Sequence, residues 1–121
     1  MRIANPIAVI GEELASNFLK KNGYKIIERN FRIGYGEIDI ISTKNNTLIF
    51  SEVKTRISEN FGTPFESITF WKLKSVVKTA QFYKSLHPNL PDSLRIDAIS
   101  VKLTKDKNLD SIEILENISG F

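Results

Sequence analysis

The chain has 121 residues, 41% hydrophobic and 26% charged, which is the composition of one ordinary globular domain over residues 1–121. It has no cysteine, which excludes disulfides and thiolate metal sites and is compatible with a cytoplasmic location. Seventeen Lys and Arg against 14 Asp and Glu give a net charge of +3, a mild preference for polyanions that suits solubility equally well. The first residues lack the layout of a secretory signal, and every apolar run falls far short of the ~20 residues that span a bilayer, so we expect no membrane partner.

The first predicted element is a helix from about Pro6 to Asn22. Asn5 is a suitable N-cap, Pro6 suits the first helical position, and Gly23 suits the end of the helix. Its predicted buried stripe, at helical spacing, consists of Ile7, Ile10, Leu14 and Phe18. Glu12 falls on the flank of this stripe among small neighbours.

Five strands and a second helix follow. The first three strands are predicted at 24–33, 37–43 and 48–56, and a loop covers 58–67. The second helix is predicted from Thr69 to Leu86, with an apolar side made of Leu73, Val76, Val77, Ala80 and either Tyr83 or Phe82. A closing hairpin pairs 95–104 with 111–117 across a turn at 105–108. The order αβββαββ predicts an α/β or α+β domain with a mixed sheet flanked by helices.

The central hairpin brings two acidic residues together. A turn centred on Asn45 and Asn46 pairs residues whose numbers sum to 91, so Asp39 lies directly opposite Glu52 with Cβ atoms about 5 Å apart. The strand period of two places Lys54 on the same face as Glu52. Two carboxylates and an ammonium are therefore predicted to converge on one patch of the sheet.

This patch has two interpretations. Facing carboxylates repel each other unless a cation lies between them, and Mg²⁺ favours a couple of carboxylates plus water. A metal there would polarise a phosphate and generate hydroxide, and Lys54 would position the water or stabilise charge. Alternatively, the patch is a solvated strand face with a cross-strand ion pair between Glu37 and Lys54.

The chain resembles the YraN family of small bacterial proteins over nearly its whole length. The motifs that carry the resemblance are Gly11-Glu12 with Ala15, Gly23-Tyr24, Arg29-Asn30 with Arg32, Gly36-Glu37-Ile38-Asp39, Glu52-Val53-Lys54 with Arg56, and Arg95-Ile96-Asp97. That family is placed in the PD-(D/E)XK nuclease superfamily, near archaeal Holliday-junction resolvases. The resemblance thus implies a restriction-endonuclease-like fold.

The resemblance also implies roles for particular residues. Asp39 matches the first acid of the superfamily, and Glu52 and Lys54 match its E-x-K motif. Glu12 matches an additional acid on the first helix, and Val53 would offer its backbone carbonyl, so the implied ligands of a Mg²⁺ or Mn²⁺ ion are Asp39, Glu52, Val53 and Glu12. Ile38 stands where the superfamily name has proline. The resolvase analogy further suggests a homodimer.

Basic residues near the acidic patch are candidates for contacting nucleic acid. Arg29, Arg32 and Arg56 flank it, and each suits either a phosphate or an ion pair with a glutamate such as Glu28, Glu37 or Glu59. Lys72 is favoured by the resemblance. Lys74 and Lys78, one helical turn apart, suit either phosphates or a solvated helix face.

Two further polar residues are expected to be structural. Asp97 is predicted to make an ion pair or a strand-end hydrogen bond, and His87, the single histidine, to be an exposed residue at a helix end. One histidine cannot supply a zinc site or a Ser-His-Asp triad.

The sequence therefore predicts a metal-dependent endonuclease that hydrolyses DNA, with branched or damaged DNA as the candidate substrate and DNA favoured over RNA. Its predicted catalytic residues are Glu12, Asp39, Glu52 and Lys54. Two alternatives stay open: a non-catalytic nucleic-acid-binding module on the same fold, and a protein-interaction partner with a vestigial site.

Overall fold

A computed structural model describes residues 5–34, 36–57 and 69–119. Its elements follow the predicted order αβββαββ: α1 Pro6–Lys21, β1 Lys25–Ile33, β2 Gly36–Lys44, β3 Thr47–Ile57, α2 Phe70–Leu86, β4 Ser93–Leu103 and β5 Leu109–Leu115. The predicted α+β class with a mixed sheet and flanking helices is confirmed. The predicted loop at 58–67 lies outside the described residues.

The five strands form one sheet in the order β1-β2-β3-β4-β5. Neighbours are antiparallel except β3 and β4, which run parallel and are joined through α2. One core cluster on the sheet includes Ala15 and Leu19 of α1, and a second includes Val76 and Tyr83 of α2. Neither described helix is long and apolar enough to cross a membrane.

The predicted register of the β2–β3 hairpin is confirmed. Asn45 and Asn46 form the turn with φ angles of 50° and 60°. A two-residue type I′ hairpin turn requires positive φ at both central residues. Thr43 pairs with Leu48, and the same register continues to Ile40 and Ser51.

The buried face of α1 differs from the predicted stripe. The fully buried positions are Gly11, Ala15, Ser16 and Leu19, whereas Ile7, Ile10 and Leu14 are only partly buried. The reason is close approach: a Cβ on Gly11 would lie 1.8 Å from Thr55 Oγ1, so the helix rests on β3 through its small residues.

In α2 the structure settles which aromatic residue faces the core. Tyr83 is buried and donates a 2.9 Å hydrogen bond to Glu28 Oε1, while Phe82 is 37% exposed. His87 caps the helix as predicted but is partly buried rather than exposed, because its ring stacks on Tyr83 at a centroid distance of 4.0 Å.

The closing strand lies two residues earlier than predicted. β5 ends at Leu115 instead of Asn117 because the Asn117 amide donates a 2.9 Å hydrogen bond to Asp97 Oδ1 and its φ of 56° is not that of a strand. Asp97 also accepts two 2.9 Å hydrogen bonds from the Arg95 guanidinium, so its predicted structural role is confirmed.

Candidate active site

The β2–β3 ladder opens at the predicted acidic pair. Ile40 and Ser51 are the last paired residues, and continuing the register by one residue brings Asp39 opposite Glu52. At this point the amide of Val53 donates a 2.7 Å hydrogen bond to Asp39 Oδ2 instead of to the backbone of β2. The Asp39 carboxylate therefore takes the place of a ladder acceptor.

A change of face in β2 explains the opening. Residues two apart in a regular strand point to the same face, yet Ile38 packs in the α2 core cluster and Ile40 in the α1 cluster. On β1, Asn30 lies opposite Asp39, because Arg29 on one side of it pairs with Ile40 and Phe31 on the other side pairs with Ile38. Asn30 has a left-handed φ of 55°. The side chains of β2 therefore change faces of the sheet at this point, and Asp39 is the residue between the two that pack on opposite faces.

The same hydrogen bond orients the Val53 carbonyl. In an extended strand the N–H and C=O of one residue point to the same side. Since the Val53 N–H points toward β2, its carbonyl also points there, away from β4. It thus faces the gap beside Asp39, where the resemblance implied a ligand.

A cavity of about 300 Å³ lies over this gap. It brings together all four predicted catalytic residues, and its walls come from the start of α1, the start of β2, the second half of β3 and the first turn of α2. Its lining is Asn5, Ile7, Ala8, Glu12, Glu37, Asp39, Glu52, Val53, Lys54, Thr55, Arg56 and Lys72.

Both acids of the pair are buried. Asp39 is 7% exposed and Glu52 is 4% exposed. Glu52 Oε2 lies 3.4 Å from Lys72 Nζ, while Glu52 Oε1 is buried with no hydrogen-bond partner among the described residues. A buried carboxylate oxygen without a donor is unfavourable, so this oxygen is a natural ligand position for a cation.

Burial raises the pKa of both acids, and a neighbouring carboxylate adds to each shift: Asp39 for Glu52, and Glu37 for Asp39. Removal from water raises the pKa of Glu52 to about 8, with a further contribution from the Asp39 charge; Lys72 and Lys54 act in the opposite direction. Burial also raises the pKa of Asp39, against the Val53 hydrogen bond that favours its ionised form. At neutral pH the metal-free site therefore holds a proton on Glu52.

The donor set fits a hard divalent cation. Two carboxylates and a backbone carbonyl are oxygen ligands, and Mg²⁺ typically keeps several waters beside one or two carboxylates. Among residues 5–34, 36–57 and 69–119, no three acidic or imidazole groups are already assembled as a cage. Glu12 is partly buried and lines this cavity from α1.

The predicted basic residues divide into two groups. Lys72, Lys54 and Arg56 line the cavity. Arg32 lines an adjoining groove together with Lys72, although its Nε donates a 2.7 Å hydrogen bond to Glu37.

Arg29 is not among the described residues that line either space. Its guanidinium donates a 2.9 Å hydrogen bond to Glu13 on α1, a partner sixteen residues away that sequence reasoning missed.

The family resemblance singled out Lys72, but sequence reasoning missed its contact with Glu52, because that contact depends on how α2 crosses the sheet.

Comparison with known proteins gives the family. A solved structure titled "Structure of EndoMS-dsDNA2 complex" is similar with a TM-score of 0.44 and 13% identity, covering 85% of this chain and 38% of that one. A UPF0102 protein of Clostridium novyi (strain NT) is 43% identical over 112 residues, 93% of each chain. One of Caldanaerobacter subterraneus is 43% identical over 101 residues, 84% of this chain and 83% of that one. The model of Uncharacterised protein family UPF0102 matches residues 11–101. The family resemblance noted in the sequence is thereby confirmed, and the chain belongs to the UPF0102 family.

Proposed function

We propose that this protein is a divalent-metal-dependent endonuclease that hydrolyses phosphodiester bonds of DNA. The observation that carries the proposal is the buried pair Asp39 and Glu52, which has an unpartnered Glu52 oxygen and lines a cavity together with Lys54. Buried facing carboxylates are destabilising for a purely structural strand pair, and a bound cation removes that penalty.

The residues would hold the cation as follows. Asp39 Oδ and the unpartnered Glu52 Oε1 supply carboxylate oxygens, Val53 supplies its carbonyl, and Glu12 contacts the ion through water. A divalent cation held there supplies positive charge for a phosphate oxygen and lowers the pKa of a nearby water.

The chain's own groups complete the chemistry. Lys54 orients the attacking water and stabilises the negative charge on the phosphoryl oxygens, while Lys72 and Arg56 hold the neighbouring phosphates. Water oxygen bonds to phosphorus and gives up a proton to solvent, the phosphorus–ester oxygen bond breaks, and the departing oxygen takes a proton from solvent. Burial of the acids strengthens every one of these electrostatic contacts.

The test uses purified protein with a panel of labelled duplex, single-stranded, junction, mismatched and RNA substrates in Mg²⁺ or Mn²⁺. We expect cleavage that EDTA stops and that Asp39→Asn, Glu52→Gln and Lys54→Met each reduce at least a hundredfold. Asp39→Asn is the sharpest variant because the amide oxygen still accepts the Val53 hydrogen bond, so the fold is kept while the charge is lost. Absence of cleavage across the panel with either metal overturns the proposal.

A further inference from the structure

Two aromatic side chains at the start of α2 are unusually exposed. Phe70 is 69% exposed and Trp71 is 73% exposed, the highest values among the large apolar side chains of the described residues. Their rings contact each other edge to face, with centroids 5.3 Å apart. Leaving such rings in water forfeits the free energy gained by burying them, and a contiguous exposed apolar patch typically marks an interaction surface.

This aromatic pair belongs to the first turn of α2, the turn that also supplies Lys72 to the candidate active site. Trp71 is followed directly by Lys72, whose ammonium lies 3.4 Å from Glu52 in the cavity.

Lysine side chains of α2 lie near the aromatic pair. Lys74 Nζ lies 5.7 Å from the centroid of the Trp71 ring, and Lys78 is exposed one helical turn further on. α2 contains four lysines and no acidic residue. Arg32 and Lys72 line the adjoining groove of about 590 Å³ together with Glu37, which accepts a hydrogen bond from Arg32.

Exposed aromatic rings beside lysine side chains form the kind of surface that binds single-stranded nucleic acid, where bases stack on rings and phosphates contact the cations. The positive charge of α2 favours a polyanion over an apolar helix or over a second copy of this equally cationic surface. We propose that Phe70 and Trp71 form a stacking platform for unpaired nucleobases, which makes strands with single-stranded or extruded bases the preferred substrate. This inference rests on the proposed nuclease function for its place in catalysis.

The test exploits the fact that Trp71 is the single tryptophan of the chain. Metal-free protein is titrated with an oligothymidylate and, separately, with a perfect duplex of the same length, and tryptophan emission is recorded. We expect strong quenching by the single strand and little by the duplex. Because no metal is present, the binding result does not depend on cleavage, and failure of the nuclease proposal is recognised separately in the substrate panel.

Matched variants use fluorescence anisotropy of a labelled oligothymidylate. Trp71→Ala should weaken single-strand binding at least fivefold, Trp71→Phe should retain most of it, and Phe82→Ala, an exposed aromatic further along the same helix, should leave it unchanged. Equal quenching by duplex, or unchanged affinity of Trp71→Ala, overturns the proposal. The proposal is also overturned if tryptophan emission shifts to the blue as protein concentration rises and is not quenched by acrylamide. Those results would show that a second copy of the protein covers the rings.

Discussion

The ammonium of Lys72 lies 3.4 Å from the buried Glu52 carboxylate, so a residue of α2 supplies a counter-charge to an acid of β3. This contact links the second helix to the acidic pair, and the favourable energy between the two side chains depends on ionisation of Glu52.

A double-mutant cycle measures that energy. With Lys72→Met and Glu52→Gln, we expect a coupling of about 1 kcal/mol in the free energy of unfolding at pH 9, where Glu52 is ionised. At pH 6 the acid is protonated in the folded protein and the coupling should fall toward zero. Chemical denaturation of the four proteins gives both values; equal coupling at the two pH values would contradict the assignment.

The raised pKa of Glu52 predicts a pH dependence of stability. The folded protein holds this proton up to about pH 8, whereas the unfolded chain releases it near 4.5, so the stability contribution is full below pH 4.5 and is lost as the pH rises toward 8. The slope from this group approaches about 1.4 kcal/mol per pH unit. Metal-free Glu52→Gln should lack it and be more stable than wild type at pH 8. Parallel pH profiles of the two proteins would refute the assignment.

A bound metal should reverse that trend. Since cation binding requires the ionised carboxylate, Mn²⁺ should release close to one proton at pH 7 and raise the melting temperature more at pH 8 than at pH 6. Calorimetry in buffers of different ionisation enthalpy counts the proton. Glu52→Gln is the control, and proton release that persists in it would point to another group.

Close contact of α1 with β3 predicts a sensitive glycine. Gly11→Ala brings a Cβ to 1.8 Å from Thr55 Oγ1 and should destabilise the protein by about 1–3 kcal/mol while shifting Glu12 relative to the site. Gly34→Ala, where no atom lies within 4 Å, is the matched control and should change stability by less than about 0.5 kcal/mol. Similar unfolding midpoints for the two variants would show that α1 is not held at this distance.

The sequence predicted the parts of the site that follow from local rules. The register between Asp39 and Glu52 is set by a short turn of two asparagines, and the strand period then places Lys54. These relations involve residues fewer than twenty positions apart, so they could be derived before any packing was known.

Other features of the site depend on how the two helices pack against the sheet. The opening of the ladder at Asp39 requires Ile38 and Ile40 to pack on opposite cores, which no period within β2 reveals. The buried stripe of α1 was predicted from its large residues, yet its small ones determine the contact with Thr55. The partner of Arg29 likewise became evident only when α1 was docked.

The central claim, that Asp39 and Glu52 jointly bind a divalent cation, is tested most directly by soaking crystals in Mn²⁺ and recording its anomalous scattering. We predict one peak within bonding distance of Asp39 and Glu52 Oε1, beside the Val53 carbonyl, that is lost in Asp39→Asn. Crystals that show no peak between these carboxylates, or an identical peak in the variant, would contradict the account.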